Sequence, residues 1–243
     1  CQTRESFTDT LSKINRIKPE RVALFGYAHL PNIRPQQKLL TRHGKIPGSE
    51  IRAELLLAAK RYFEANGYLM VGIDHFALKD DELARGYLSG PIHRNFQGYV
   101  PGGRSAIIGL GPSAISDFGG TYWQNYSDLG QWEETIEEGG LPVSRGITLS
   151  RDDLIRREVI EGIMCTGVFD LGKMTTQPSV GVLKYFEGEI DDLETKYREL
   201  VTVDRDERII RSTPLGKILA RTTASVFDKR NREGGTNRFS LAF

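Results

Sequence analysis

Cysteine is nearly absent from this sequence. Only Cys1 and Cys165 occur in 243 residues. Two thiols so far apart exclude a disulfide framework. They also exclude a self-contained zinc or iron–sulfur site built on cysteine, which needs three or four thiolates. The scarcity fits a reducing compartment, and a cytoplasmic location is expected. Long apolar runs are missing too: none approaches the roughly 18 residues of a membrane helix. Neither sign of charge dominates. The 33 Lys and Arg face 32 Asp and Glu, so no overall field steers the chain to nucleic acid or acidic lipid, and neither partner is expected. Internal repeats and low-complexity tracts are absent. What remains is ordinary globular composition, 39% hydrophobic and 27% charged, enough for one or two domains with a sizeable core. The first residue is Cys and a helix follows almost at once, so the chain is expected to be a fragment of something longer.

Thr3 is a suitable cap for a helix over Arg4–Ile17, with Phe7, Leu11 and Ile14 at helical spacing. RVALFGYA (Arg21–Ala28) reads as a buried strand and the stretch after it, HLPNIRPQQ, as a Pro-rich loop. A long helix is expected over Ser49–Asn66, a second strand over Tyr68–Leu78 and a short helix over Asp80–Arg85. That rhythm predicts parallel α/β packing, with ligands at the carboxyl ends of the strands. His29, Asp74 and His75 fall there. A helix over Ser127–Glu138 should turn Leu129, Trp132 and Ile136 inward. After Thr148 the chain becomes helix-rich. Ser150 with Asp153 has capping-box spacing, and Ile155, Val159 and Ile163 share a face. LVTVDRDERIIRS reads as two short strands around a charged turn. Thr213-Pro214 opens a helix running to about Phe227. Helix, hairpin and helix together suggest a winged-helix-like unit, so the expected division is 1–148 and 149–243.

The densest cluster of glycine, aromatic and polar residues is HRNFQGYVPGGRSAIIGLGPSAIS, His93–Ser116. It suits either a ligand-facing loop, where glycine lets backbone approach a small molecule, or a run of sheet turns. It has no lysine, which argues against a phosphate cradle of the P-loop kind.

HRNFQGY (His93–Tyr99), GLGPSAIS (Gly109–Ser116), YAHLP (Tyr27–Pro31), GIDHFALKDDELA (Gly72–Ala84) and RGITLSRDDLIRREVI (Arg145–Ile160) occur in order along nearly the whole chain. In this the sequence resembles the C-terminal part of the oxygen-independent coproporphyrinogen III oxidases. Gly26, Val100-Pro101, Arg104, Ala106 and Pro112 depart from the family's usual pattern. The resemblance implies the C-terminal part of a (β/α) partial barrel of the radical S-adenosylmethionine kind, followed by a mostly helical, winged-helix-like domain. It also implies an activity: oxidative decarboxylation of two propionates of coproporphyrinogen III, giving protoporphyrinogen IX through a 5′-deoxyadenosyl radical. The implied cofactors are S-adenosylmethionine and a 4Fe–4S cluster. The family's cluster-binding C-x3-C-x2-C belongs to an N-terminal half without a counterpart here, so the fragment is expected to be inactive alone, with no metal ligand of its own. An electron donor and acceptor are implied partners, and a monomer is expected.

Residue by residue, the resemblance places Ala28, Phe96, Gln97 and Ile115 at S-adenosylmethionine. His75 and Arg94 are candidates for the tetrapyrrole substrate. It assigns no catalytic residue. Plainer readings stand beside these. His75 suits a hydrogen-bonded structural role, and His29 a turn-fixing one. Arg104 reads as a solvated loop arginine, and Asp80 and Asp81 as helix-start residues. Cys165 reads as a buried core thiol, and Tyr122, Trp123 and Tyr126 as packing aromatics that could instead stack on a tetrapyrrole. Two other functions are consistent with the sequence. One is a haem chaperone of the same superfamily. The other is a nucleic-acid module built on Asp191–Phe227 and the basic tail of Lys229, Arg230, Arg232 and Arg238.

Overall fold

The structure, a computed structural model, describes residues 2–44 and 46–232; Cys1 and Arg238 lie outside the described residues. Helix α1 (Arg4–Ile17) starts in a capping box between Thr3 and Ser6 and buries Phe7 and Leu11. Each capped amide satisfies one of the donors a helix start leaves open. Strand β1 is only Arg21–Ala23. The Pro-rich loop after it holds a single 3-10 turn at Pro35–Gln37 and helix α2 (Lys38–His43). Helix α3 (Ser49–Ala65) presents Leu55, Ala59 and Phe63 to the core.

The run Tyr68–Leu78, expected as one strand, is a hairpin of β2 (Tyr68–Val71) and β3 (His75–Leu78). Gly72 makes the turn at φ +61°, a conformation costly for a residue with a Cβ. β3 lies between β1 and β2 and is antiparallel to both. The expectation of parallel packing is therefore corrected: every strand pair among the described residues is antiparallel. The cause is local. An apolar run of eleven residues with glycine inside it fits one long strand and two short ones equally well by periodicity.

Helix α4 (Glu82–Ser89) is capped by Asp81, which accepts from the Leu83 amide at 2.7 Å and pairs with Arg21 at 2.9 Å. Next come the hairpin β4 (Ile92–Asn95) and β5 (Gly98–Pro101) and the sheet of β6 (Ile115–Phe118), β7 (Thr121–Asn125) and β8 (Val143–Thr148). Helix α5 (Leu129–Glu137) is an excursion between β7 and β8. Its Leu129 and Ile136, expected inward, are exposed, because α5 contributes to neither apolar core.

Helix α6 (Arg151–Thr166) begins in the expected Ser150–Asp153 capping box and buries Ile155, Val159 and Ile163. Strand β9 (Val168–Asp170) then joins β10 (Val201–Asp204) and β11 (Ile209–Ser212) in the order β10-β11-β9. Around them lie α7 (Val182–Tyr185), α8 (Glu187–Lys196), α9 (Pro214–Ile218), α10 (Ala220–Ala224) and α11 (Lys229–Arg232). Two apolar clusters hold this mixed α/β chain together. The smaller joins Phe7, Leu55, Phe63 and Phe76. The larger runs from Val71, Leu83 and Tyr99 through α6 to Phe186, Ile190 and Phe227, crossing Thr148 without a break. Side chains of this size contribute about 1.5–3 kcal/mol each when fully buried. No helix among the described residues is long and apolar enough to cross a membrane.

Candidate functional site

The β4–β5 hairpin is ordered at its tip by Asn95, whose Oδ1 accepts from the amides of Gln97 (2.8 Å) and Gly98 (3.2 Å). This fixes Phe96 and Gln97 at the turn with their side chains exposed. Phe96 stands edge-on to Tyr122 of β7, ring centroids 5.5 Å apart. Two residues beyond Gln97, Tyr99 is buried and donates its hydroxyl to the Met164 carbonyl of α6 at 2.8 Å. The Arg94 guanidinium lies over the Tyr99 ring at 5.5 Å.

Between this hairpin, β6–β7 and α6 lies a cleft of about 180 Å³. Arg94, Phe96, Arg104, Tyr122, Arg157 and Glu161 are among the residues that line it. Arg104 lies in a loop and is exposed, as expected, and it is also the main tie of the cleft. It bonds Glu161 at 3.1 Å, the Tyr122 hydroxyl at 2.7 Å, and Asp117. A guanidinium with three fixed partners cannot range through solvent, and its planar fork suits such bridging.

His93 lies behind the cleft, only 1% exposed, with Nδ1 donating to Glu161 and Nε2 unpartnered. Burial, then the nearby guanidiniums of Arg104 and Arg157, hold its pKa below the ordinary imidazole value. A depressed folded pKa means that the unfolded chain takes up this proton first as pH falls. Stability is therefore expected to decline as pH drops below about 6.5, the unperturbed histidine value. Melting temperatures of wild type and His93→Gln between pH 8 and 5 test this; equal slopes would assign the decline to other groups.

A second, larger cavity of about 310 Å³ lies at the carboxyl end of β1. Phe7, Tyr27, Arg52, Leu55, Asp74 and Arg221 help to line it, and the Arg52 Nε is buried without a partner. Asp74 accepts from Arg221 at 3.3 Å and from the His75 Nδ1 at 2.7 Å. The rest of the His75 ring packs edge-on against Phe25 and Tyr99. The turn after β1 is held by Gln37, which donates to the Ala28 carbonyl at 3.0 Å and accepts from the Leu30 amide. His29 makes no hydrogen bond through its buried Nδ1, so the turn-fixing role expected of it falls to Gln37.

The structure thus brings Arg94 and Phe96 together in one cleft, with Gln97 at the same hairpin tip. Ala28 lies on the loop that leaves the other cavity, next to Tyr27, which lines it. Ile115 sits on β6 opposite Gln124 and lines neither cavity. The glycine-rich segment beside it closes on its own sheet. The Gly109 amide donates to Ser116 at 2.9 Å, and the Asn125 side chain donates to the Gly111 carbonyl at 2.9 Å. Arg157, Glu161 and Asp117 were not legible as site residues. The i, i+4 spacing of Arg157 and Glu161 on α6 was the available signal.

No protein-family model matches the chain. Curated relatives do. An oxygen-independent coproporphyrinogen III oxidase of Escherichia coli K12 is 36% identical over 232 residues, which is 96% of this chain and 50% of that protein. The enzyme of the same name from Pseudomonas aeruginosa PAO1 is 34% identical, covering 98% of this chain and 52% of its own length. Among solved structures, a coproporphyrinogen III oxidase (HemN) from E. coli, described as a radical SAM enzyme, superposes with a TM-score of 0.85. It is 37% identical, over 94% of this chain and 52% of its own length. This chain is homologous to half of an oxygen-independent coproporphyrinogen III oxidase. It spans about half the length of the curated relatives it matches, and the oxidase match does not stop at Thr148.

A radical SAM oxidase carries an iron–sulfur cluster, and the described residues do not fit one. Among them no group of three His, Cys, Asp or Glu side chains is placed to hold a metal ion. Cys165, the one cysteine among the described residues, is buried, and burial pushes its thiol up to about 12, so it is a protonated core thiol in this structure. Buried and protonated, Cys165 is expected to be spared by iodoacetamide in the native chain at pH 8 but alkylated in denaturant. Peptide mapping that found Cys165 labelled under native conditions would contradict this placement.

Proposed function

We propose that this chain is the C-terminal, cluster-free half of an oxygen-independent coproporphyrinogen III oxidase, acting in the cytoplasm in porphyrin synthesis. On this reading the whole enzyme converts two propionates of coproporphyrinogen III to the vinyls of protoporphyrinogen IX. The single observation that carries it is the agreement in sequence and shape with half of such enzymes, 36% identity over 96% of the chain and a TM-score of 0.85. S-adenosylmethionine and a 4Fe–4S cluster, when bound, supply the radical that abstracts hydrogen. This chain's share is to wall the pocket and hold ligands in line, where orientation and exclusion of water govern rate.

In that role Ala28, Phe96, Gln97 and Ile115 meet S-adenosylmethionine, while Arg94 and His75 face substrate. Phe96 and Gln97 suit it because the Asn95 turn holds both at an exposed, fixed tip. His75 is the weaker candidate, since Asp74 and two aromatic rings already occupy its surroundings. We read residues 1–148 as the C-terminal part of a partial barrel; strand β1 lies at the edge of its sheet, where a strand from elsewhere in the enzyme can pair with it. We further read 149–243 as a helical, winged-helix-like domain packed on the first 148 residues. Its hairpin does not suit nucleic acid: Arg205 at the turn is bound to Asp191 at 2.8 Å and Glu194 at 2.6 Å, and phosphate binding requires free cations.

The test pairs this chain with the cluster-bearing half of the E. coli relative, anaerobically, with coproporphyrinogen III, S-adenosylmethionine, a one-electron reductant for the cluster and an electron acceptor for the electron left after each decarboxylation. Protoporphyrinogen IX should form with both halves present and not with this chain alone, even after iron and sulfide are added. Cleavage of S-adenosylmethionine by this chain alone would refute the division of labour. Tight haem binding without decarboxylation by the paired halves would select a chaperone instead.

A further inference from the structure

The cleft under Phe96 has an unequal charge balance. Three guanidiniums line it, those of Arg94, Arg104 and Arg157, against two carboxylates, Asp117 and Glu161. Arg104 takes both carboxylates. Arg94 has a buried Nε without a partner and rests on an aromatic face. The only polar contact of the Arg157 guanidinium among the described residues is the Tyr122 hydroxyl at 3.4 Å. With His93 neutral, the cleft keeps one positive charge in excess, on two arginines that no carboxylate neutralises.

The rest of the lining is apolar or aromatic: Ile160, Met164, Phe96 and the Tyr122 ring. About 180 Å³ is too small for a whole cofactor or macrocycle. It has room for a side arm. We propose that Arg94 and Arg157 form a seat for one carboxylate carried on a short aliphatic arm, with Ile160 and Met164 against the arm and Phe96 over the mouth. A single negative charge completes the balance. A dianion would exceed it and would meet Asp117 and Glu161 at close range. Neither fork is paired with a carboxylate, and arginine pairs with carboxylate through two parallel hydrogen bonds.

The seat rests on the function proposed above only for its occupant. Two ligands of that function carry a carboxylate for this seat: a propionate of the tetrapyrrole, which brings the single charge, and the amino-acid end of S-adenosylmethionine, whose carboxylate has an ammonium beside it. Butyrate, which is the arm alone, separates the seat from its source. In a titration of the chain followed by ¹H–¹⁵N spectra, butyrate should shift the Arg157 and Arg94 Nε–H signals and the Phe96 amide in a saturable way. Arg157→Gln should weaken butyrate at least about tenfold, as loss of a charge-assisted pair does. Arg157→Lys should keep part of that affinity, and both variants should melt with the wild type because the residue is not in the core. Butyrate should then displace either coproporphyrin III, followed by its fluorescence, or S-adenosylmethionine, and whichever it displaces is the source.

Butyrate affinity unchanged in Arg157→Gln and in Arg94→Gln would overturn the seat. Butyrate binding that depends on Arg157 yet displaces neither ligand would leave the seat standing and count against the porphyrin reading.

Discussion

Gly216→Ala is expected to cost this protein more stability than Gly98→Ala. Gly216 lies in α9, where an added Cβ would stand 2.8 Å from the Leu200 carbonyl carbon and closer still to its oxygen. That carbonyl has no freedom to withdraw, since it accepts from the Thr213 amide at 2.8 Å. Thr213 in turn caps α9 through the Gly216 amide at 3.0 Å and donates its hydroxyl to the Glu199 carbonyl at 2.9 Å. A methyl group would have to break this corner open. Overpacking costs about 1–3 kcal/mol and an orphaned buried polar group about as much again, so a loss of roughly 4 kcal/mol is expected in urea unfolding. A change under 1 kcal/mol would show that the corner is slack.

Gly98→Ala should follow at roughly 3 kcal/mol, for two separable reasons. The position has φ +133°, which an L side chain tolerates poorly. Its Cβ would also stand 2.7 Å from the His75 Cε1 and nearer still to Nε2. The imidazole is pinned by Asp74 on one side and Tyr99 on the other, so the clash must be relieved by moving one of these. In a His75→Ala background the steric share should vanish and only the backbone share remain. A double-mutant cycle measures that coupling. Zero coupling would mean that the ring and the hairpin tip do not touch as described.

The ends of helices were the most readable part of the fold. Thr3 and Ser150 announce α1 and α6 because a cap is a contact between neighbours in sequence, and both capping boxes form. Strand partners were not readable. Tyr68–Leu78 folds back on itself because Gly72 takes a left-handed turn, and no count of apolar residues distinguishes that from one longer strand. α5 shows the same limit in a helix: Leu129 and Ile136 have the spacing of a buried face and are exposed, since spacing defines a face but not what covers it. At the site, the motif HRNFQGY marked the hairpin and with it Arg94, Phe96 and Gln97. Arg104 is the exposed loop residue expected, but its ties were not readable, because its partners, Asp117, Tyr122 and Glu161, lie 13, 18 and 57 residues further along the chain. A bridge of that kind exists only after the chain has folded.

Helix α6 is a party wall. One side offers Arg157 and Glu161 to the cleft and the Met164 carbonyl to Tyr99; the other is packed into the cluster that includes Phe186, Ile190 and Phe227. Heat or denaturant should therefore not peel the last hundred residues away and leave the cleft intact. Amide exchange along α6 should slow and quicken together with that of the β4–β5 hairpin, as one cooperative unit.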